Sequence, residues 1–236
     1  MADMDELEWW EFDTAAEAAE QAAGDIGFVV ESAIEAHGGA RLALPGEAGL
    51  DALFSALAKS KSFDWTKVSL LPTADRLAPL SAPESRYRML EGWFGAKGAE
   101  ILSLVDESAL SDPAEAARLA DARLSLLRWP LDFVCLGMDE AGGTAGLVAG
   151  ADLDRLLNAP RERRAVGVKS ADGDLVSLTA PTLTAARTVM IVISGAKERE
   201  VLEQAIKEGP LSSTAIGRLL ATIDSPIDIF WSADEA

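Results

Sequence analysis

The stretch LDFVCLGMDEAGGTAGLVAG, residues 131–150, opens as a short apolar run from Leu131 to Leu136 and then breaks into glycine. A run that short, bulky and apolar reads as a strand buried on both faces. Gly137, Gly142, Gly143 and Thr144 follow, with a helix-like segment soon after. A buried parallel strand ending in a glycine-rich loop is where open α/β sheets place ligands. Glycines let the backbone approach a ligand closely, and free N–H groups before a helix favour anions. An ordinary strand-to-helix turn is the alternative. The loop has neither the Gly-Lys-Ser/Thr of a P-loop nor a full Gly-x-Gly-x-x-Gly.

Outward from this stretch, strands and helices alternate. Trp9 to Phe12 reads as an edge strand, and Thr14 with Glu17 as a capping box opening a helix. Ala18, Ala22, Ile26, Val30 and Ala33 recur on one face of that helix, which ends near His37-Gly38-Gly39. Strands are expected at Arg41–Leu44, Trp65–Leu71, Glu100–Val105, Ala165–Val168, Leu175–Thr179, Thr188–Ile193 and Ile227–Trp231. Helices are expected after Pro45-Gly46-Glu47-Ala48-Gly49 through Ala58, from Pro83-Glu84-Ser85-Arg86, from Asp112-Pro113 through Leu127, from Pro181 to Arg187, from Gly195-Ala196-Lys197 through Lys207 and from Ser212 to Ala221. The alternation predicts an α/β fold, a mostly parallel sheet with helices on both faces. No linker divides the chain, so one domain over residues 1–236 is expected.

Charge and composition exclude several functions. The formal charge is −18, from 21 basic and 39 acidic residues. Such a surface repels nucleic acid and anionic membranes, although a local arginine still suffices for a small anion. No stretch approaches the ~18 apolar residues of a membrane span. The N-terminal residues lack a signal pattern. Cys135 is the one cysteine, which fits a reducing cytoplasm, and no Cys/His cluster suggests a metal. No cofactor is expected. His37, the one histidine, lies before the Arg41 strand and so at the amino end of the sheet, away from the ligand edge. It reads as a helix-terminal residue. Asp75 and Arg76 fall just past the Leu71 strand, either as a surface ion pair or as an arginine placed to hold a phosphate or carboxylate. The cluster Arg161, Arg163, Arg164 is too small for a nucleic-acid stripe.

The order of motifs resembles the 6-phosphogluconolactonase family, grouped with the glucosamine-6-phosphate deaminase and ribose-5-phosphate isomerase folds. Arg41 to Leu57 resembles its first sugar-phosphate loop. Asp64-Trp65-Thr66-Lys67-Val68, then Asp75-Arg76-x-x-Pro79 and Ser85, resembles D-W-x-x-V, D-E-R-x-V-P, S-N. Leu136-Gly137-Met138 with Gly142-x-Thr144-Ala145 resembles L-G-M-G-x-D-G-H-T-A-S. Val176 to Pro181 and Gly195-Ala196-Lys197 resemble the last two motifs.

The resemblance implies a lactone hydrolase acting on 6-phosphoglucono-1,5-lactone in the pentose phosphate pathway. It also implies that the chemistry is altered. The family's aspartate and general-base histidine are Ala141 and Gly143 here, and the closing serine is Gly146. The asparagine after Ser85 is Arg86. Only Gly46 survives of the first loop's S-G-G-S/T-T-P, and Glu47 adds negative charge there. The late lysine falls on Glu198, with Lys197 one position early. The residues carried over are Arg76 for phosphate or oxyanion, with Asp75 beside it. Gly46, Ser85, Gly142, Thr144 and Lys197 are carried over as substrate contacts, and the N–H groups of Gly142 to Thr144 as a lining of the site. Activity is expected to be reduced or lost, because a positioned base contributes about 10²–10⁴ in rate. The alternative is a family member that no longer hydrolyses lactone and binds a sugar phosphate or a protein partner. A sugar-phosphate isomerase or deaminase on the same fold is a third reading.

Overall fold

The computed structural model describes residues 7–46, 49–150, 153–223 and 225–234. Ten strands are described: β1 (Leu7–Phe12), β2 (Ala40–Leu44), β3 (Val68–Pro72), β4 (Ala74–Arg76), β5 (Glu100–Ile101), β6 (Phe133–Leu136), β7 (Ala165–Val168), β8 (Leu175–Leu178), β9 (Val189–Ser194) and β10 (Ile227–Ser232). Eight α-helices are described with them: α1 (Ala15–His37), α2 (Asp51–Ala58), α3 (Arg86–Phe94), α4 (Pro113–Leu124), α5 (Leu153–Leu157), α6 (Ala180–Thr184), α7 (Gly195–Glu208) and α8 (Ala215–Leu220).

Seven strands form one sheet in the order β1-β10-β9-β6-β2-β3-β5, and every pairing in it is parallel. The apolar run at its centre divides by alternation, as the two-residue period of a strand requires. Phe133 and Cys135 join the core beneath α1, α2 and α3. Val134 and Leu136 join the core beneath α4, α6, α7 and α8. All four residues are buried. Helices therefore cover both faces, which explains why so many strands read as continuous apolar runs.

Local signals set the helix starts. Thr14, Ser85, Asp112, Thr179 and Thr214 each accept a backbone N–H of the turn they cap. Gly38, at φ +82°, ends α1 in the left-handed conformation. His37 closes that helix at the amino end of β2, with Nε2 3.4 Å from the buried Asp132 carboxylate. The same carboxylate accepts the Arg41 N–H at 2.9 Å and meets Arg128 at 2.8 Å.

The expected boundaries need several corrections. Residues 65–67 form a 3₁₀ turn, so β3 starts at Val68. The strand expected over 100–105 covers only two residues. Helix α4 ends at Leu124, α6 ends at Thr184 and α8 begins at Ala215. The larger correction is a second sheet, antiparallel in the order β4-β8-β7, with its own small core of Leu147, Leu153, Leu156, Val166 and Leu175 among others. Ala74-Asp75-Arg76 belongs to this sheet and is not a loop.

Helix α4 packs so closely on β7 that Gly167 is the only residue type that fits. A Cβ there would run into the backbone carbonyl of Pro113, which cannot swing aside as a side chain can. Gly167→Ala is expected to destabilise the fold by about 1–3 kcal/mol. Urea unfolding measures it, and a midpoint equal to that of the unmodified chain would show that α4 shifts without cost.

Candidate functional site

Because β2, β3, β6, β9 and β10 run parallel, their carboxyl ends lie on one edge of the sheet. A cleft opens there. Its lining includes Gly49 and Leu50 after β2, Gly137 and Met138 after β6, Ser194 at the end of β9, and Ser232 at the end of β10. Ala15, Ala18 and Ala19 of α1 form a wall, and Glu198 projects from the first turn of α7. The space in it open to water has a volume of about 30 Å³, room for one or two waters. Glu47, the added charge of the first loop, lies outside the described residues.

The glycine loop does not lead into a helix. Thr144 and Leu147 exchange backbone hydrogen bonds at 3.0 and 2.7 Å, and Ala145 and Gly146 between them sit at φ +51° and +71°. Two left-handed central residues make a tight hairpin turn. The chain folds back at that point, and the next helix begins only at Leu153.

The loop's N–H groups are already taken. Gly142 N–H donates to the Asp139 carbonyl at 2.9 Å, and Thr144 N–H to the Leu147 carbonyl. The Asp139 carboxylate accepts the N–H of Gly143 at 2.8 Å and of Ala141 at 2.9 Å. The expected lining of free amides at Gly142 to Thr144 is therefore corrected. A carboxylate of the chain itself holds the place of a bound anion. Thr144 turns its hydroxyl back to the Gly137 carbonyl at 2.7 Å. Gly143 has ordinary backbone geometry, but a Cβ there would lie 2.5 Å from Asp139 Oδ2.

The Asp75–Arg76 pair is also assigned differently. Asp75 is fully buried, and its carboxylate accepts the backbone N–H groups of Arg86 (2.7 Å), Arg76 (2.9 Å) and Tyr87 (3.0 Å). It clasps the start of α3 to β4. Burial holds its pKa above the ordinary carboxylate range, against the pull of those three donors. The Arg76 guanidinium donates to the carbonyls of Asp172 (2.9 Å) and Gly173 (2.7 Å), at the turn joining β7 to β8. It does not line the cleft. Ser85 caps α3 by accepting the Arg88 N–H at 3.3 Å. Lys197 is exposed and pairs with Glu140 outside the cleft. Gly46 lies directly under the Arg86 side chain, so closely that a Cβ would overlap it.

Sequence reasoning leaves out Asp139, and it reads Glu198 and Arg86 only as departures from the family motifs, with no role in the site. Asp139 had a visible signal, since it replaces the second glycine of L-G-M-G. Arg86 and Glu198 stand where the family pattern carries asparagine and lysine, but nothing in the sequence indicates that one covers Gly46 or that the other turns into the cleft. Burial raises the Glu198 pKa, with Glu140 and Asp139 adding to the effect against the Ser194 N–H. No cluster of three or more His, Cys, Asp or Glu residues placed to hold a metal occurs among the described residues. No helix among them is long and apolar enough to cross a membrane.

The family described as glucosamine-6-phosphate isomerases/6-phosphogluconolactonase matches residues 13–220. A 6-phosphogluconolactonase of Rhizobium meliloti (strain 1021) is 31% identical over 226 residues, covering 94% of this chain and 97% of that protein. One from Mesorhizobium japonicum is 30% identical over 230 residues, covering 95% and 94%. The crystal structure of a 6-phosphogluconolactonase from Shewanella baltica OS155 superposes with a TM-score of 0.87 at 24% identity, covering 96% of this chain and 98% of that one. These matches define an α/β protein of the deaminase and lactonase fold. The chain belongs to the glucosamine-6-phosphate isomerase/6-phosphogluconolactonase family.

Proposed function

We propose that this chain is a sugar-phosphate lactone hydrolase that opens 6-phosphoglucono-1,5-lactone, at a rate below that of a site with a histidine base. The observation that carries this reading is the cleft at the carboxyl edge of the sheet, which keeps a carboxylate, Glu198, beside a water-sized space. Lactones open readily, so positioning a water and one proton acceptor accomplishes much of the catalysis. For the phosphate, the geometry favours Arg86 over Arg76. Arg86 lies across Gly46 of the first loop and donates to the Ala74 carbonyl at 3.2 Å, while Arg76 is held by the Asp172–Gly173 turn. A guanidinium suits phosphate through its paired donors.

A second reading, binding without hydrolysis, is favoured by Asp139, which occupies the amides that otherwise stabilise an oxyanion. A lactonase assay on the purified chain, corrected for spontaneous ring opening, separates the two. Turnover that scales with protein concentration is expected. No increase over the spontaneous rate at micromolar protein would leave the binding reading.

A further inference from the structure

We propose that Glu198 is the general base of this chain, holding and deprotonating the hydrolytic water in the place left by the missing histidine. The inference rests on the lactone-hydrolase reading above and adds the residue that performs the proton transfer.

Three features of the geometry carry it. Glu198 stands in the first turn of α7 and lines the cleft with Gly137 and Met138 of the glycine loop and Leu50 of the first loop. One oxygen, Oε2, is fixed by the Ser194 N–H at 3.0 Å. The other has no protein hydrogen bond among the described residues and is left for a water. The cleft's volume of about 30 Å³ takes one water or two. Among the described residues the rest of the lining supplies no competing base: α1 contributes Ala15, Ala18 and Ala19, α2 contributes Ala52 and Leu53, and β10 contributes Ser232. Among the described residues, the charged groups acting on Glu198 are Asp139 and Glu140, both from the glycine loop. Lys197, its neighbour on α7, is paired with Glu140.

These surroundings suit a base. Burial and two nearby carboxylates both disfavour the charged form, so Glu198 takes up a proton more readily than an exposed glutamate. In the step, a water proton passes to Glu198 while the water oxygen bonds to the lactone carbonyl carbon. The tetrahedral intermediate then breaks its bond to the ring oxygen. The proton returns from Glu198 to that oxygen, leaving an open-chain hydroxy acid. Water is the only co-reactant.

Glu198→Gln is the test, because an amide oxygen still accepts the Ser194 N–H but cannot take up a proton. With 6-phosphoglucono-1,5-lactone as substrate, kcat is expected to fall about 100-fold or more while KM changes less than about twofold. The acid limb of the kcat/KM profile, set by Glu198, is expected to disappear. A residue that only capped the helix would leave both unchanged in this variant. Glu198→Asp, which retains a carboxylate, is expected to keep the acid limb, and it stands in should the glutamine variant fold poorly. An active unmodified chain whose Glu198→Gln variant keeps its kcat and acid limb overturns the inference and leaves the hydrolase reading intact. An unmodified chain without turnover overturns both.

Discussion

Replacing three residues of the glycine loop together, Asp139→Gly, Ala141→Asp and Gly143→His, is expected to raise lactonase turnover about 100-fold or more over the unmodified chain. The histidine supplies a proton acceptor that titrates near working pH, and the aspartate orients it. The first substitution decides the outcome. With Asp139 present, a Cβ at position 143 lies 2.5 Å from its Oδ2, so Ala141→Asp with Gly143→His alone is expected to add little. Removing Asp139 also frees the N–H groups of Ala141 and Gly143 that it now accepts, and two free amides are what an oxyanion requires. Asp139→Gly alone frees the amides without restoring the base, and a gain of less than about tenfold is expected. The measurement is initial rate against lactone concentration for the four proteins, with thermal melts to confirm folding. If the triple variant folds and is no faster than the unmodified chain, the loop is not the place where the reaction occurs.

The parallel sheet was legible because its central strands are buried on both faces. Val189 to Ile193 and Phe133 to Leu136 have no polar face to confuse with a helix, and Asp112-Pro113 and Thr14 announce helix starts by their own chemistry. The second sheet was less visible. Ala74-Asp75-Arg76 is only three residues long, and its strand character comes from pairing with Leu175 to Ser177, about a hundred positions away. No local propensity encodes such a partner. The site shows the same division. The losses at Ala141 and Gly143 are one-residue substitutions within a motif and can be read directly. The consequences that change the chemistry depend on which way a side chain turns. Asp139 folds back over its own loop, Arg86 reaches over to Gly46, and Glu198 faces the cleft while Lys197 faces away. Asp75 is the clearest case. Its neighbour suggested an ion pair, yet the carboxylate serves three backbone N–H groups, two of them on residues ten or more positions on.

That arrangement makes Asp75→Ala the substitution with the largest expected cost to stability, about 3 kcal/mol or more. Three N–H groups lose their acceptor at once, and each partly buried donor left without one costs about 1–3 kcal/mol. Asp75→Asn is milder, because a carbonyl at the Oδ1 position still accepts from Arg76 and Arg86 and only the Tyr87 N–H is lost. About 1–2 kcal/mol is expected. The pH dependence distinguishes this account from a simple loss of charge. Burial raises the Asp75 pKa above its unfolded value near 3.8, so the folded chain binds the proton more tightly. Stability from this group is therefore fully present below that unfolded value and is lost as pH rises through the folded pKa. The asparagine variant cannot titrate, so its deficit against the unmodified chain is expected to be larger near pH 4 than at pH 7. Urea unfolding at the two pH values measures it. A deficit that instead grows toward pH 7 would mean that the three N–H groups stabilise the ionised carboxylate by more than burial opposes it. The functional consequence follows from the same clasp. Asp75 fixes the N–H of Arg86 at the start of α3 and so sets the guanidinium over Gly46. At temperatures where Asp75→Ala remains folded, its KM for the phosphorylated lactone is expected to rise more than its kcat falls, because the group displaced is the one proposed to hold the phosphate and not the one proposed to move the proton.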